Sequence, residues 1–144
     1  MRILFVAAVA AILAACSGET ADTATSTAKA EAIAQDTRVA AVLIRADWCS
    51  SCKIIEPKLT EVKIDGPIEG LQHITMDYTN RDKDAFYEAA EKLGVADAVR
   101  DHLEGDVKTG IILLVDMETK SVVADLRKEL SEDELKAAMV KSVA

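Results

Sequence analysis

Residues 38–46, "RVAAVLIRA", form a nearly continuous apolar run with β-branched members, the pattern of a strand buried on both faces of an α/β sheet. Beyond it the period lengthens. Cys52, Ile55, Leu59 and Val62 fall at steps of three and four, while Lys53, Glu56, Lys58 and Glu61 fill the other side, which predicts an amphipathic helix. Pro57 stands inside that helix and should kink it, and "DGP" at 65–67 should end it. A second strand is predicted at 72–78, then a helix over about 81–93 with Phe86, Ala89, Ala90 and Leu93 on its buried side. Gly94 interrupts that pattern, and 96–104 reads as a short extra helix with Gly105 as a left-handed stop. Strands at 110–115 and 121–126, joined by "DMETK", suit a hairpin. In the last helix Ser131 is the cap, Glu134 completes a capping box, and Leu130 staples against Leu135. The order is strand, helix, strand, helix, short helix, hairpin, helix, with no internal repeat.

The N-terminus follows a different pattern. Met1-Arg2 is a short positive start, and residues 3–15 are all apolar. That run is shorter than the roughly 20 residues a spanning helix needs, and Ala14 and Ala15 suit a signal peptidase, so 1–15 are expected to be a cleaved signal peptide. Leu13-Ala14-Ala15-Cys16 resembles the lipobox of bacterial lipoproteins. The resemblance implies that Cys16 is lipid-modified, becomes the new N-terminus and fixes the protein to a membrane. Ser17 after it implies the outer membrane, and a location on the periplasmic side of the cell envelope. The alternative is an ordinary cleaved signal followed by a cysteine. Residues 16–35 contain small and polar residues and no aromatic, so a flexible tether is expected, with helix permitted by composition over 28–35. The folded domain is then 36–144.

Composition excludes more than it assigns. Asp and Glu number 25 against 17 Lys and Arg, a net charge of −8, and no basic patch or aromatic-basic interleaving occurs, so nucleic acid is not an expected partner. Three cysteines would leave one unpaired in an exported protein. With lipid on Cys16, Cys49 and Cys52 remain as a self-contained pair, and outside the cytosol such a pair can exist as a disulfide.

A Cys-x-x-Cys at the first turn of a helix has a chemical consequence. Cys49 would sit where free backbone N–H groups and the positive end of the helix dipole stabilise a thiolate. Cys52, one turn on, is placed to resolve a mixed disulfide with a substrate. The stretch 46–57, "ADWCSSCKIIEP", resembles the active-site segment of the thioredoxin family: an apolar strand leads in, Trp48 precedes Cys49, Lys53 follows Cys52, and Pro57 stands five after Cys52. The wording is also similar to the thioredoxin-like domain of membrane thiol-reducing proteins of the DsbD type. The resemblance covers 36–144 in pattern and 46–57 in motif. It implies a thioredoxin-like fold, a central mixed β-sheet flanked by helices. It also implies a thiol-disulfide oxidoreductase that needs no cofactor, exchanging disulfides with envelope proteins and drawing on an upstream redox protein as donor or acceptor. No Gly-rich dinucleotide motif is present to draw electrons from NAD(P)H.

Three departures from the family stand out. The family's cis-proline facing the disulfide is replaced by Thr109-Gly110, where a cis bond would cost about 2.5–4 kcal/mol, so trans geometry is expected. The family's buried acid, six residues before the first cysteine, is replaced by Leu43. His73, on the neighbouring strand, is a candidate substitute base because its pKa lies near working pH, the alternative being a partly exposed strand histidine. Asp47 reads as a surface residue. Residues 96–105 are a short helical insertion before the loop that carries Thr109-Gly110, either shaping partner choice near the cysteines or decorating the periphery. Ser50 and Ser51 occupy the places that tune redox character in the family; their hydroxyls either hydrogen-bond the Cys49 thiolate or only complete the helix start. Two other classes of function stay open. A metal-binding or delivery module would use the two thiolates for Cu(I) or Zn(II), although no second Cys-x-x-Cys exists and His73 and His102 are the only imidazoles. An interaction protein would keep a permanent disulfide without turnover.

Overall fold

The computed structural model describes residues 33–34 and 36–144. The expected signal peptide, Cys16 and nearly all of the expected tether lie outside the described residues. Packing starts slightly before 36: Ile33 rests on the core and the Ala34 amide donates to Gln72 Oε1 at 2.8 Å.

The apolar run at 38–46 becomes β1 (Val39–Arg45), buried throughout except at Arg45. It is followed by α1 (Cys52–Ile64), β2 (Leu71–Asp77), α2 (Lys83–Lys92), α3 (Ala96–His102), β3 (Ile111–Asp116), β4 (Ser121–Arg127) and α4 (Glu132–Ser142). The strands form one sheet in the order β2-β1-β3-β4. β1 runs parallel to β2, with Arg45 opposite Asp77, and antiparallel to β3; β3 and β4 form an antiparallel hairpin with a register shift at Leu114/Val115. Successive β1 side chains alternate between two cores, as a two-residue period requires. Val39, Ala41 and Leu43 pack with Ile55, Leu59 and Val62 of α1 and Leu135 and Met139 of α4. Ala40, Val42 and Ile44 pack with Phe86, Tyr87 and Ala90 of α2 and Ala96, Ala98 and Val99 of α3. A mixed sheet is thus covered by α1 and α4 on one face and by α2 and α3 on the other. This is the thioredoxin-like fold, with α3 as the short helix inserted before the 107–110 loop.

The differences from the sequence reading are local and have identifiable causes. α2 begins at Lys83 rather than 81 because the Asp82 carboxylate accepts from the Ala85 amide and caps the helix, leaving Arg81 outside with φ 57°. Tyr87 joins the buried face. Its hydroxyl donates to the Asp106 carbonyl at 2.8 Å and the Arg100 guanidinium lies 4.6 Å from its ring, so the tyrosine ties α3 and the following loop to α2. β3 begins at Ile111 rather than 110, because Gly110 adopts φ 80° and cannot continue a strand. Among the described residues no helix is long and apolar enough to cross a membrane.

The expected capping box is present: the Glu134 amide donates to Ser131 Oγ and the Ser131 amide to Glu134 Oε2. Ser131→Ala removes one half of this exchange at the start of a helix that buries Leu135 and Met139. A loss of about 1 kcal/mol is expected, read as a lower urea midpoint with unchanged slope. An unchanged midpoint would show that α4 is held by its buried face alone.

Candidate active site

The turn between β1 and α1 builds the cysteine site. The Cys49 amide donates to the Ala46 carbonyl at 3.0 Å, and α1 opens at Cys52. A disulfide joins Cys49 and Cys52, whose Cα atoms are 5.3 Å apart. The backbone N–H of Cys52 donates to Cys49 Sγ at 3.1 Å. An N-terminal helix amide is therefore aimed at the first sulfur, the geometry that stabilises a thiolate there once the bond is reduced. Cys49 is 6% exposed and Cys52 2%, so both residues of the pair are buried, the second more completely.

The glycine in the place of the family's proline is in direct contact with this centre. Gly110 donates its N–H to the Ile44 carbonyl at 2.7 Å, which draws the loop onto the end of β1. A Cβ added at Gly110 would stand 2.5 Å from Ser51 Cβ, 3.0 Å from Cys49 Sγ and 3.4 Å from the Cys52 amide nitrogen. Only a residue without a side chain fits that approach at φ 80°. Thr109, half-buried beside it, makes no hydrogen bond through its backbone among the described residues. Ser51, Lys108, Thr109, Gly110 and Arg127 line a shallow groove running past the cysteine turn.

Trp48 is 47% exposed but not free. Its indole N–H donates to the Thr79 carbonyl at 3.0 Å, and the Arg81 guanidinium lies 4.4 Å from its ring centre. Lys53 is exposed on the outer side of α1, and Pro57 lies within that helix. Ser50 is exposed. Neither serine hydroxyl hydrogen-bonds a sulfur among the described residues, and Ser51 caps α1 without a side-chain bond. Its carbonyl instead accepts from the Ile54 and Ile55 amides. In the disulfide form the hydrogen bond to sulfur comes from the backbone.

One expectation about bases comes out differently. Leu43, in the place of the family's acid, is buried among Ile55, Leu59 and Leu135. His73 does not replace that acid. It stands in register with Ala41, one alternation further from the cysteine end than Leu43. The charge acting on it is Lys63, eleven residues beyond Cys52 and so about 16 Å further along the helix. Burial, with Lys63 adding to it, pushes the His73 pKa down to about 4, and its Nδ1 is buried without a hydrogen-bond partner among the described residues. His73 is a neutral strand histidine and not a base for Cys52. Among the described residues, no group of three or more His, Cys, Asp or Glu side chains converges that could hold a metal ion.

Sequence reading missed the charged cluster beneath the turn. Arg45, at the end of β1, donates Nε to Glu56 of α1 at 2.9 Å, Nη2 to Asp47 at 2.7 Å, and Nη1 to Asp77 of β2. Glu56 first, and then Asp47, hold the guanidinium pKa above its ordinary value. Burial alone would raise the Asp77 carboxyl. Hydrogen bonds from Thr79 and the Arg45 charge outweigh it and hold the group below the ordinary carboxylate range. Thr79 Oγ1 in turn accepts from the Asp47 amide at 3.0 Å. The only sequence signal was an arginine closing an otherwise apolar strand.

The sheet order and the Cys-Ser-Ser-Cys disulfide at the mouth of the first helix have the arrangement of the thioredoxin-like fold. No protein-family model matches the sequence, and no curated protein matches it. Similar solved structures include the thioredoxin domain of a thiol-disulfide oxidoreductase from Bacteroides vulgatus, at 25% identity over 76% of this chain and 81% of that one, TM-score 0.48. Trxlp from Edwardsiella tarda is similar at 17% identity over 71% and 82%, TM-score 0.47. Thioredoxin f2 from Chlamydomonas reinhardtii is similar at 18% over 74% and 81%, TM-score 0.46.

Gly110→Ala forces a Cβ into Ser51 and Cys49 at a left-handed φ. It is expected to cost roughly 2–5 kcal/mol from strain and overpacking together, seen in denaturant melts of the oxidised protein. A cost below about 0.5 kcal/mol would show that the loop yields freely.

The His73 shift makes stability depend on pH. A folded pKa near 4 lies below the unfolded value of about 6.5, so the unfolded chain binds more protons between them. Stability is therefore expected to fall as pH drops from 6.5 towards 4. His73→Leu should flatten the upper part of that window, pH 6.5 to 5, where the carboxylates are still ionised. Equal slopes for both proteins in urea titrations would remove His73 as the cause.

Proposed function

We propose that this chain is a thiol-disulfide oxidoreductase of the cell envelope, exchanging disulfides with partner proteins while lipid on Cys16 holds it at the periplasmic side of a membrane. The observation that carries the exchange reading is the Cys52 amide aimed at Cys49 Sγ at the start of α1. Reduced Cys49 is then the sulfur with a stabilised anion, and it attacks a partner disulfide, whose far sulfur leaves as a thiolate. Cys52 gives up its proton and attacks Cys49 Sγ, the mixed disulfide breaks, and the partner departs with two thiols as the Cys49–Cys52 bond closes. The reverse sequence oxidises a partner dithiol.

The partner's path follows from the groove. The Thr109 backbone has no partner among the described residues and stands beside Gly110, so an extended segment can pair there and bring its sulfur onto Cys49. At the place of the family's proline, Gly110 lies close against the cysteine turn, where a built Cβ would stand 3.0 Å from Cys49 Sγ. No organic cofactor is required; electrons come from, or go to, a second redox protein. The envelope location rests on the apolar segment 3–15 and the lipobox-like Leu13-Ala14-Ala15-Cys16, and the outer membrane on Ser17.

Cys52→Ser tests the exchange reading. Without the resolving thiol, partners should accumulate as mixed disulfides on Cys49, visible as dithiothreitol-sensitive adducts that vanish in the Cys49→Ser, Cys52→Ser double variant. The wild-type pair should titrate reversibly with two electrons in graded dithiol buffers. A potential near about −270 mV marks a reductant, and one near about −120 mV an oxidant. Absence of both adducts and cycling would leave a static disulfide on an interaction protein.

A further inference from the structure

Arg45 takes no part in the exchange chemistry, yet its partners surround the cysteine turn. Asp47 is two residues before Cys49. Glu56 is four after Cys52 and so one turn along the same side of α1. Asp77 faces Arg45 across the β1–β2 register, and Thr79, hydrogen-bonded to it, holds both the Asp47 amide and the Trp48 indole. On this face of β1 the preceding positions Val39, Ala41 and Leu43 are apolar. The Arg45 cluster therefore carries one guanidinium and three carboxylates, a formal sum of minus two.

We propose that Arg45 is a positioning residue: by fixing Asp47, Glu56 and Asp77 around the start of α1 and cancelling part of their charge, it sets how readily Cys49 ionises. This rests on the reading of the pair as an exchanging centre. Two opposed fields meet at that sulfur. The Cys52 amide and the helix dipole favour the thiolate, and the carboxylates oppose it. Other charges lie around the turn. Lys53 follows Cys52, and Arg81 covers Trp48. Lys108, Lys128 and Glu129 flank the groove, where Arg127 is answered by Asp125. None of these is bonded to the Arg45 cluster. Among the described residues, Arg45 is the one cation paired with three carboxylates.

The test uses the full chain reduced with a phosphine, comparing Cys49 alkylation by iodoacetamide across pH. Arg45→Met is expected to raise the pH at which Cys49 becomes reactive and to slow alkylation at pH 7 about three- to tenfold, the order expected for loss of one unit charge near a protein surface with salt screening. Glu56→Gln should shift the profile the other way, and Arg45→Lys should restore most of the wild-type rate. Opposite signs from the two charge changes are what a purely structural role does not give. Shifts of the same sign, or none in well-folded variants, overturn the proposal. If Arg45→Met loses its circular dichroism signal, Glu56→Gln and Asp47→Asn decide: both must speed alkylation at pH 7, or the inference falls. Cycling with glutathione separates the two readings. Two glutathione thiols supply two electrons and two protons, the Cys49–Cys52 bond breaks and glutathione disulfide forms. A wild-type pair that never cycles removes the exchange reading itself. One that cycles while the profiles stay fixed removes only the role of Arg45.

Discussion

A strand with no polar face must be covered on both sides and paired along both edges, and β1 imposes that condition on everything around it. Its six fully buried positions require helices above and below, and its backbone requires β2 on one edge and β3 on the other. The parallel pairing with β2 obliges the chain to cross over the sheet, and α1 is that crossover. The helix that carries the cysteines is thus the connection that the central strand needs. The end of β1 is where the demand for burial stops and Arg45 can reach half into solvent.

The same strand end organises the disulfide from the other direction. The Ile44 carbonyl, one residue before the end of β1, takes the Gly110 amide and draws the 107–110 loop against the sulfurs. In the thioredoxin family this contact is expected from a proline. Here glycine reaches the same place by lacking a Cβ and by tolerating a positive φ, and it keeps an N–H that proline would not supply. The loop is consequently latched to β1 by a hydrogen bond where a ring would otherwise have held it by shape.

Much of this was legible in the sequence, and what was not shares a physical cause. Elements written in local periodicity were recovered within one or two residues: the stripe Cys52, Ile55, Leu59 and Val62 of α1, the capping box at Ser131 and Glu134, the hairpin around residue 118. The Cys49–Cys52 pair was legible because both ends of the bond lie in one turn. The Arg45 cluster was not, because its partners stand 2, 11 and 32 residues away and only the β1–β2 register and the α1 crossover bring them together. His73 failed as a base for the same reason: being on the neighbouring strand does not fix which end of that strand a residue occupies. The loss of proline at 110 was plain, but the close approach of Gly110 to Ser51 and Cys49 is visible only in three dimensions.

The entry of the chain has a consequence for how the disulfide is presented. Ala34 meets Gln72 at the start of β2, whereas the cysteine turn follows the finish of β1, which runs the same way. The two points are separated by most of a strand length, five residues or about 17 Å at the usual rise. In the arrangement proposed above, with lipid on Cys16, a pull on the chain ahead of residue 33 would act at the end of the sheet opposite the cysteine turn. A domain held in that way would turn its disulfide away from the support, and strand direction would set that orientation.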